Sequence, residues 1–341
     1  MRRIVLVTGL SRPLGADLAA RLAQDPAVSR VIGVDTVPPR NDLGPVRFVR
    51  ADIRNPVIAK VIAGEHVDTV VHTSVMPADQ PRLGSTKEHN VIGTMQLLAA
   101  CQRAPGVERL IVKSSAEVYG ADSKSVAMCT EDSPTGRYVQ GFSKDVFEVE
   151  GYVRGFARRR PDVAITMLRN VNTIGPTVRS QLADYFRMPV TPRPIGFDAR
   201  IQLVHYSDLL GALHHATLAG VTGTFNLAGD GVLMLSQAIR RLGHPSLALP
   251  GLVLGLVGRG LKPAGLSPVS FSAEQVRFLQ FGRGVDTTRL RTVLGYQPAY
   301  TTLEAFDDFA RSVRPGLVSS QSAARLEKLV GVGSRPYGGT P

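Results

Sequence analysis

The sequence predicts an α/β fold: a doubly wound parallel sheet with helices on both faces and a smaller, partly interleaved C-terminal lobe. Three observations predict it. Short β-branched runs alternate with longer amphipathic stretches as far as Arg169, the runs are almost continuously apolar, and the connections between them are short. Strands joined by helices through short loops run parallel with right-handed crossovers. Apolar runs without alternation are what a sheet buried on both faces requires.

Taken in order, Ile4–Thr8 reads as a strand, Leu14–Gln24 as a helix, Val31–Asp35 as a strand, Val57–Ala63 as a helix and Thr69–His72 as a strand. A helix around Asn90–Ala104, a strand Leu110–Ser114, a long helix Gln140–Arg159 and a strand Ala164–Arg169 complete the series. Then the rhythm changes. Pro176, Pro189, Pro192 and Pro194 interrupt the pattern, leaving a short strand at Arg200–Val204 and helices at Leu235–Leu242 and Ala273–Phe278. The expected division is a first domain over 1–175, with segments around 200–230 returning to it, and a lobe over 176–315. Residues 316–341, rich in Ser, Gly and Arg, form a weakly ordered tail with a short helix near Ser322–Val330.

Composition narrows the function. The longest apolar stretch, Leu247 to Gly258, is broken by Pro250 and is too short to span a bilayer. Arg2 and Arg3 lead straight into a strand with no small-residue cleavage site, so no signal peptide is read. Cys101 and Cys129 are the two cysteines; they imply reduced thiols, a cytoplasmic location and no metal site. The net charge is +12, and its densest cluster, Arg158-Arg159-Arg160, closes a helix where cations suit the macrodipole. It is read as a solvated helix end. Without an aromatic-rich motif or any Trp, nucleic acid is not an expected partner.

The strongest local signal is Thr8-Gly9-Leu10-Ser11-Arg12-Pro13-Leu14-Gly15, between the first strand and the first helix. Gly9 permits a tight turn, Gly15 lets the helix pack close to the strand, and Pro13 suits the helix's first turn. The loop's N–H groups and the helix N-terminus then offer partial positive charge to a pyrophosphate. The second strand ends on Asp35, whose carboxylate can accept from adenosine ribose hydroxyls and would repel a 2′-phosphate; NAD is favoured over NADP. Asp52, after a third short strand, either caps the adenine pocket or holds a turn.

With those residues in order, the chain resembles the extended short-chain dehydrogenase/reductases, in particular the UDP-glucose 4-epimerase-like NAD-dependent epimerase/dehydratases and an actinobacterial subgroup of them. The resemblance runs from Val5 to about Ala310. Asn90-Val91-Ile92-Gly93-Thr94 is similar to the family's Asn-Val-x-Gly-Thr. Lys113-Ser114-Ser115-Ala116-Glu117-Val118-Tyr119-Gly120 is similar to its Ser-Ser-x-x-Val-Tyr-Gly. Leu168-Arg169-Asn170-Val171-Asn172 with Gly175-Pro176, Val204-His205-Tyr206-Ser207-Asp208, Phe225-Asn226-Leu227-Ala228-Gly229 and Leu294-Gly295-Tyr296-Gln297-Pro298 continue the order. The resemblance implies a Rossmann-type domain holding NAD through Gly9, Ser11, Arg12, Leu14, Gly15, Asp35, Asp52, Ile53, Asn90 and Lys144. It implies a catalytic set of Ser115, Gln140 and Lys144, with Ser115 and Asn172 on the substrate, a nucleotide sugar or other small hydroxylated molecule. A homodimer formed through the helices over 90–104 and 140–159 is implied too.

Three departures stand out. The family's Tyr, which takes the hydroxyl proton, lies four residues before its Lys, and here that position is Gln140. An amide hydrogen-bonds but does not titrate near neutrality. Tyr138 is two residues earlier, about 200° around a helix unless the helix starts after it. Arg12 replaces the middle glycine of the phosphate loop: either the guanidinium helps to hold a phosphate, or the cofactor site is altered. The arginine that grips the nucleotide diphosphate falls on Ile201, with Arg200 pointing to the opposite face of its strand. Three readings follow: a degenerate but active epimerase/dehydratase; a non-catalytic NAD-binding protein with a partner or membrane-surface role; or changed chemistry on an apolar metabolite. His72 is expected to be a satisfied core residue, Tyr119 to pack structurally, the adjacent His214 and His215 to diverge, and Glu148 to partner Lys144 on one helix face.

Overall fold

The computed structural model describes residues 2–77, 86–136, 140–251, 253–254 and 271–313. Tyr138, most of the segment 252–258 and the stretch 316–341 with its expected helix lie outside them. The chain runs β1 (Arg3–Thr8), α1 (Pro13–Ala23), β2 (Val28–Asp35), β3 (Arg47–Arg50), α2 (Val57–Gly64), β4 (Thr69–His72), α3 (Gly93–Gln102) and β5 (Arg109–Ser115). It continues with α4 (Gly141–Arg159), β6 (Ala164–Asn170), β7 (Asn172–Ile174), α5 (Gln181–Phe186), β8 (Thr191–Pro194), β9 (Arg200–Ile201), β10 (Leu203–His205), α6 (Tyr206–Ala219) and β11 (Gly223–Leu227).

Seven strands form one all-parallel sheet in the order β11-β6-β5-β4-β1-β2-β3. The order reverses between β1 and β4, so their C-terminal ends open a crevice where the connections part in opposite directions. The apolar runs are buried as their composition demands: Val5, Leu6, Val7, Val70 and Val71 are fully covered. α1 and α6 pack together on one face, while α3 packs against both α2 and α4 on the other. Leu18, Leu22, Leu209 and Leu213 fill the first layer, and Ile58, Ile62, Leu97, Val153 and Phe156 the second.

A third core belongs to the lobe. Tyr185, Phe186, Phe271, Phe306 and Phe309 meet edge-on or tilted, with Phe186 centred 5.1 Å from Phe306. Three small sheets frame it. The chain leaves the main sheet after β6, builds part of the lobe and returns as β11 against β6.

Arg158 and Arg159 are exposed in the last turn of α4, as a solvated helix end requires, but Arg160 departs from that reading. Arg160 turns inward and donates to the carbonyls of Cys101 (3.0 Å), Ala104 (3.2 Å) and Val107 (3.0 Å), closing the C-terminal end of α3, while Asp162 holds it from the other side. Glu148 also departs: its ion pair is with Lys87 (3.6 Å) of the segment before α3. Cys101 and Cys129 are buried free thiols.

Candidate active site

The phosphate loop is built as a cradle at the crevice. Gly9 has φ +86, and a Cβ there would lie 3.1 Å from the hydroxyls of Thr73 and Ser74 beyond β4. A Cβ on Gly15 would lie 2.3 Å from the Gly9 carbonyl oxygen, so only glycine lets α1 begin this close to the turn. Arg12 is the N-cap residue in extended conformation, its side chain makes no cap hydrogen bond, and Pro13 follows. The first-turn N–H groups of α1 are therefore left to an anion.

Asp35 ties this loop to β2. Its Oδ2 accepts from Ser11 N (3.0 Å) and Ser11 Oγ (2.7 Å), and its Oδ1 from Thr36 N (2.7 Å). A ribose diol would compete with the Ser11 hydroxyl for that oxygen. Asp52 is gripped by Arg54, whose Nε and Nη2 reach its carboxylate at 3.0 and 2.7 Å and lower its pKa. The neighbouring Ile53 is buried where a Cβ on Gly93 would meet it at 2.8 Å, so Gly93 serves packing within the chain. Asn90 sits in a wider π turn ahead of α3, a feature frequent at functional sites. It bonds both N–H and C=O of Met76 (3.1 and 2.8 Å) and the Asp145 carboxylate (3.1 Å), positioning the crevice wall.

Two cations meet at this wall. The Arg12 guanidinium contacts the Met76 sulfur. The Lys113 ammonium, half-buried on β5, donates to the Val75 carbonyl at 3.3 Å. Burial first, and then repulsion from Arg12, bring the Lys113 pKa down to about 8. A pyrophosphate between them would relieve that repulsion, so the residues present fit a dinucleotide.

The reacting end lies where β5 meets α4. Ser115, at the end of β5, is buried, and its Oγ accepts from Glu117 N at 3.2 Å in the tight turn Ala116–Tyr119. Gln140 is not inside α4: it is the extended N-cap residue, exposed, with Gly141 at φ +51 opening the helix. The helical argument against Tyr138 therefore lapses, although Tyr138 itself lies outside the described residues. Lys144 is exposed one turn further along. Gln140 shares a small pocket with Gly120, Ser143, Glu274, Arg277 and Arg283. Asn172 opens β7, half-buried, in register with Leu203.

Sequence reasoning missed Lys113, Glu117, Glu274 and Arg283. Lys113 and Glu117 stood inside a quoted motif. A lone charge within Leu110-Ile111-Val112, in phase with Ser115, was the available signal for Lys113. Glu274 and Arg283 come from the far end of the chain and carry no local pattern.

Other residues fall outside the reacting end. Tyr119 donates to Asn226 (2.7 Å) and accepts from Arg169 (2.8 Å) in a buried network, and burial pushes its pKa up to about 12 against the lowering pull of Arg169 and Asn226. His72 is enclosed between the hydroxyls of Thr8 and Thr94, both at 2.9 Å. His214 turns to Asp25 (3.1 Å) and His215 to the Leu294 carbonyl (2.8 Å). Ile201 is fully buried in the lobe core, and Arg200 is exposed. Among the described residues, no cluster is suited to a metal and no helix is long and apolar enough to cross a membrane.

The model of the NAD dependent epimerase/dehydratase family matches residues 5–228. The chain belongs to that family. An uncharacterized protein of Mycobacterium tuberculosis (strain ATCC 25618 / H37Rv) is 50% identical over 317 residues, covering 91% of this chain and 84% of that protein. Two solved structures of family character share the fold. UDP-glucuronic acid 4-epimerase from Bacillus cereus, in complex with UDP-glucuronic acid and NAD, aligns with a TM-score of 0.66 at 19% identity, over 90% of this chain and 99% of that one. dTDP-glucose 4,6-dehydratase from Bacillus anthracis, in complex with NAD, gives 0.68 at 17% identity, over 91% and 96%. The epimerase/dehydratase family match ends before Glu274, Arg277 and Arg283, so these three of the residues lining the Gln140 pocket lie beyond it.

Proposed function

We propose that this chain is an NAD-dependent epimerase/dehydratase-type enzyme acting on a nucleotide sugar, with Gln140 standing where the family carries its tyrosine. The cradle of Gly9, Gly15, Arg12 and Lys113, opening toward Ser115 and Gln140, carries the reading. The α1 N-terminus and the two cations hold the pyrophosphate, and Asp35 takes the ribose diol and disfavours NADP. Ser115 orients the substrate hydroxyl, Asn172 contacts the sugar, and Lys144 turns inward to the nicotinamide ribose. Bound NAD supplies reversible hydride acceptance. Gln140 hydrogen-bonds the hydroxyl without carrying its proton. Titration calorimetry should give NAD binding with NADP much weaker, and NMR should show conversion of UDP-glucose or UDP-glucuronic acid by the wild type. No NAD binding at all would end this reading.

Gln140 also supports a second reading, a non-catalytic NAD-binding protein. Its mark would be NAD binding without turnover, and activity gained on Gln140→Tyr. The exposed Ile92, Met95 and Tyr152 on the α3–α4 side support a homodimer through these helices. A dimer mass in light scattering, reduced to monomer by Met95→Asp with Tyr152→Asp, is expected. A cytoplasmic location belongs to the same proposal.

A further inference from the structure

We propose that Glu274 and Glu117 are the proton carrier of this site, a hydrogen-bonded carboxyl pair doing the work of the family's tyrosine. This rests on the reading of the chain as an NAD-dependent enzyme. The pair joins the elements that flank the reacting end. Glu117 lies two residues past Ser115, and its N–H donates to the Ser115 Oγ. Glu274 projects from the lobe helix Ala273–Phe281 to the N-terminus of α4, where its Oε1 accepts from Ser143 N at 3.2 Å. A Cβ on Gly141 would lie 3.1 Å from Glu274 Oε2, so the carboxyl rests directly beside the residue following Gln140. The two carboxyl groups hydrogen-bond to each other. Glu274 lines the pocket that Gln140 also lines, and Glu117 acts on it as a neighbouring like charge.

Two carboxyl groups this close share a proton, because both cannot ionise cheaply in a partly buried place. The surrounding charges tune the pair. Arg283, on the strand after the lobe helix, attracts both carboxylates while its Nε donates to the Gly120 carbonyl at 2.8 Å. Arg277 lines the same pocket from the lobe helix, Lys113 acts on Glu117 from β5, and Lys144 lies exposed on α4. Burial, then repulsion from Glu117, raise the Glu274 pKa to about 8, near the value best suited to a group that both takes and returns a proton. In the forward step the substrate O–H proton would pass to the ionised pair, which would then hold one proton more, while bound NAD⁺ would supply the acceptor for the hydride leaving the carbinol carbon as that carbon becomes a carbonyl. In the return step the pair would give its proton back to the oxygen.

The test begins on the full-length protein without added NAD. Infrared titration of ¹³C-Glu-labelled protein should show a protonated carboxyl that ionises near pH 8; it should vanish in Glu274→Gln and move to lower pH, still raised by burial, in Glu117→Gln. Each variant should then lose about 10²–10⁴-fold in kcat, as expected for removal of an acid–base group, with NAD affinity and a single cooperative melting transition retained. No such carboxyl in the wild type, or full kcat in Glu274→Gln, overturns the pair while leaving the enzyme reading intact. A wild type that binds NAD yet converts no nucleotide sugar overturns both, the enzyme reading first. If Glu274→Gln does not fold, Glu117→Gln alone decides by the same two measurements.

Discussion

Two buried carboxylate–guanidinium clusters sit within this molecule, and they differ in the way that separates structure from chemistry. In the first, Arg169 grips Glu150 with both arms, at 2.8 and 2.7 Å, while Ser114 donates to the same carboxylate at 2.6 Å. Glu150 is fully covered. Arg154 reaches the same carboxylate at 3.3 Å, so one acid is met by two guanidinium groups and a hydroxyl, and each of its oxygens has two donors. In the second, Arg283 faces two acids, its guanidinium is also committed to the Gly120 carbonyl, and a pocket opens beside it. The first cluster is complete and has nothing to exchange. The second sets two carboxyl groups beside each other at a pocket, and a raised Glu274 pKa follows from their burial and repulsion.

Each prediction probes this contrast, and the largest effect belongs to the complete cluster. Glu150→Ala strands Arg169 as an uncompensated buried charge and should destabilise the fold by about 3–5 kcal/mol, measured by urea denaturation. A loss below one third of that would mean that the pair is less closed than its geometry states. Next, Tyr119→Phe removes the hydroxyl between Arg169 and Asn226 and should cost roughly 1–3 kcal/mol of stability. Because Tyr119 belongs to the structural network, kcat should hold; a collapse of kcat with NAD affinity retained would move Tyr119 into the reacting end. Lys113→Met should weaken NAD binding by about 1.5–3 kcal/mol, the worth of a hydrogen bond to a charged group. Wild-type affinity should also decline as pH rises through about 8, where Lys113 loses its proton in the absence of the anion.

A further expected effect is a slope. Glu274 has a folded-state pKa near 8 against an ordinary value of 4.5. Between these values the unfolded chain is the more ionised, so this group's contribution to stability falls as pH rises from 4.5 to about 8 and is level above it. Glu274→Gln should therefore gain on the wild type across that window in melting scans. An offset independent of pH would show that Glu274 ionises normally.

The sheet was legible because its strands announce themselves. Val5 to Thr8 and Thr69 to His72 are buried on both faces, and burial of that kind leaves a sequence no choice but apolar runs. The phosphate loop was legible for a related reason: Gly9 and Gly15 stand where any Cβ would strike backbone or neighbouring hydroxyls. The reacting end was only half legible. Ser115, Gln140 and Lys144 could be placed by motif, yet the start of α4 at Gly141 could not, and it decides how Gln140 is presented. Glu274 was out of reach, since its partners are Ser143 and Glu117 and no local pattern encodes a contact across the chain. Arg160 failed for another reason. Its targets are the carbonyls that end α3, backbone groups without a sequence signature.

The return of β11 to the edge beside β6 has a consequence for the order in which the molecule can form. Two main-sheet pairings cannot form between consecutive strands. β4 must return to β1 past β2, β3 and α2, pairing Thr69 with Val5, and β11 must return to β6 past everything from β7 through α6, pairing Gly223 with Thr166. Until each return is made, one edge of β1 and then one edge of β6 stand open with their N–H and C=O groups unpaired. Closing such excursions carries a loop-entropy cost that pairing of consecutive strands does not. During synthesis these two open edges are where a chaperone or a stray strand would find this chain first.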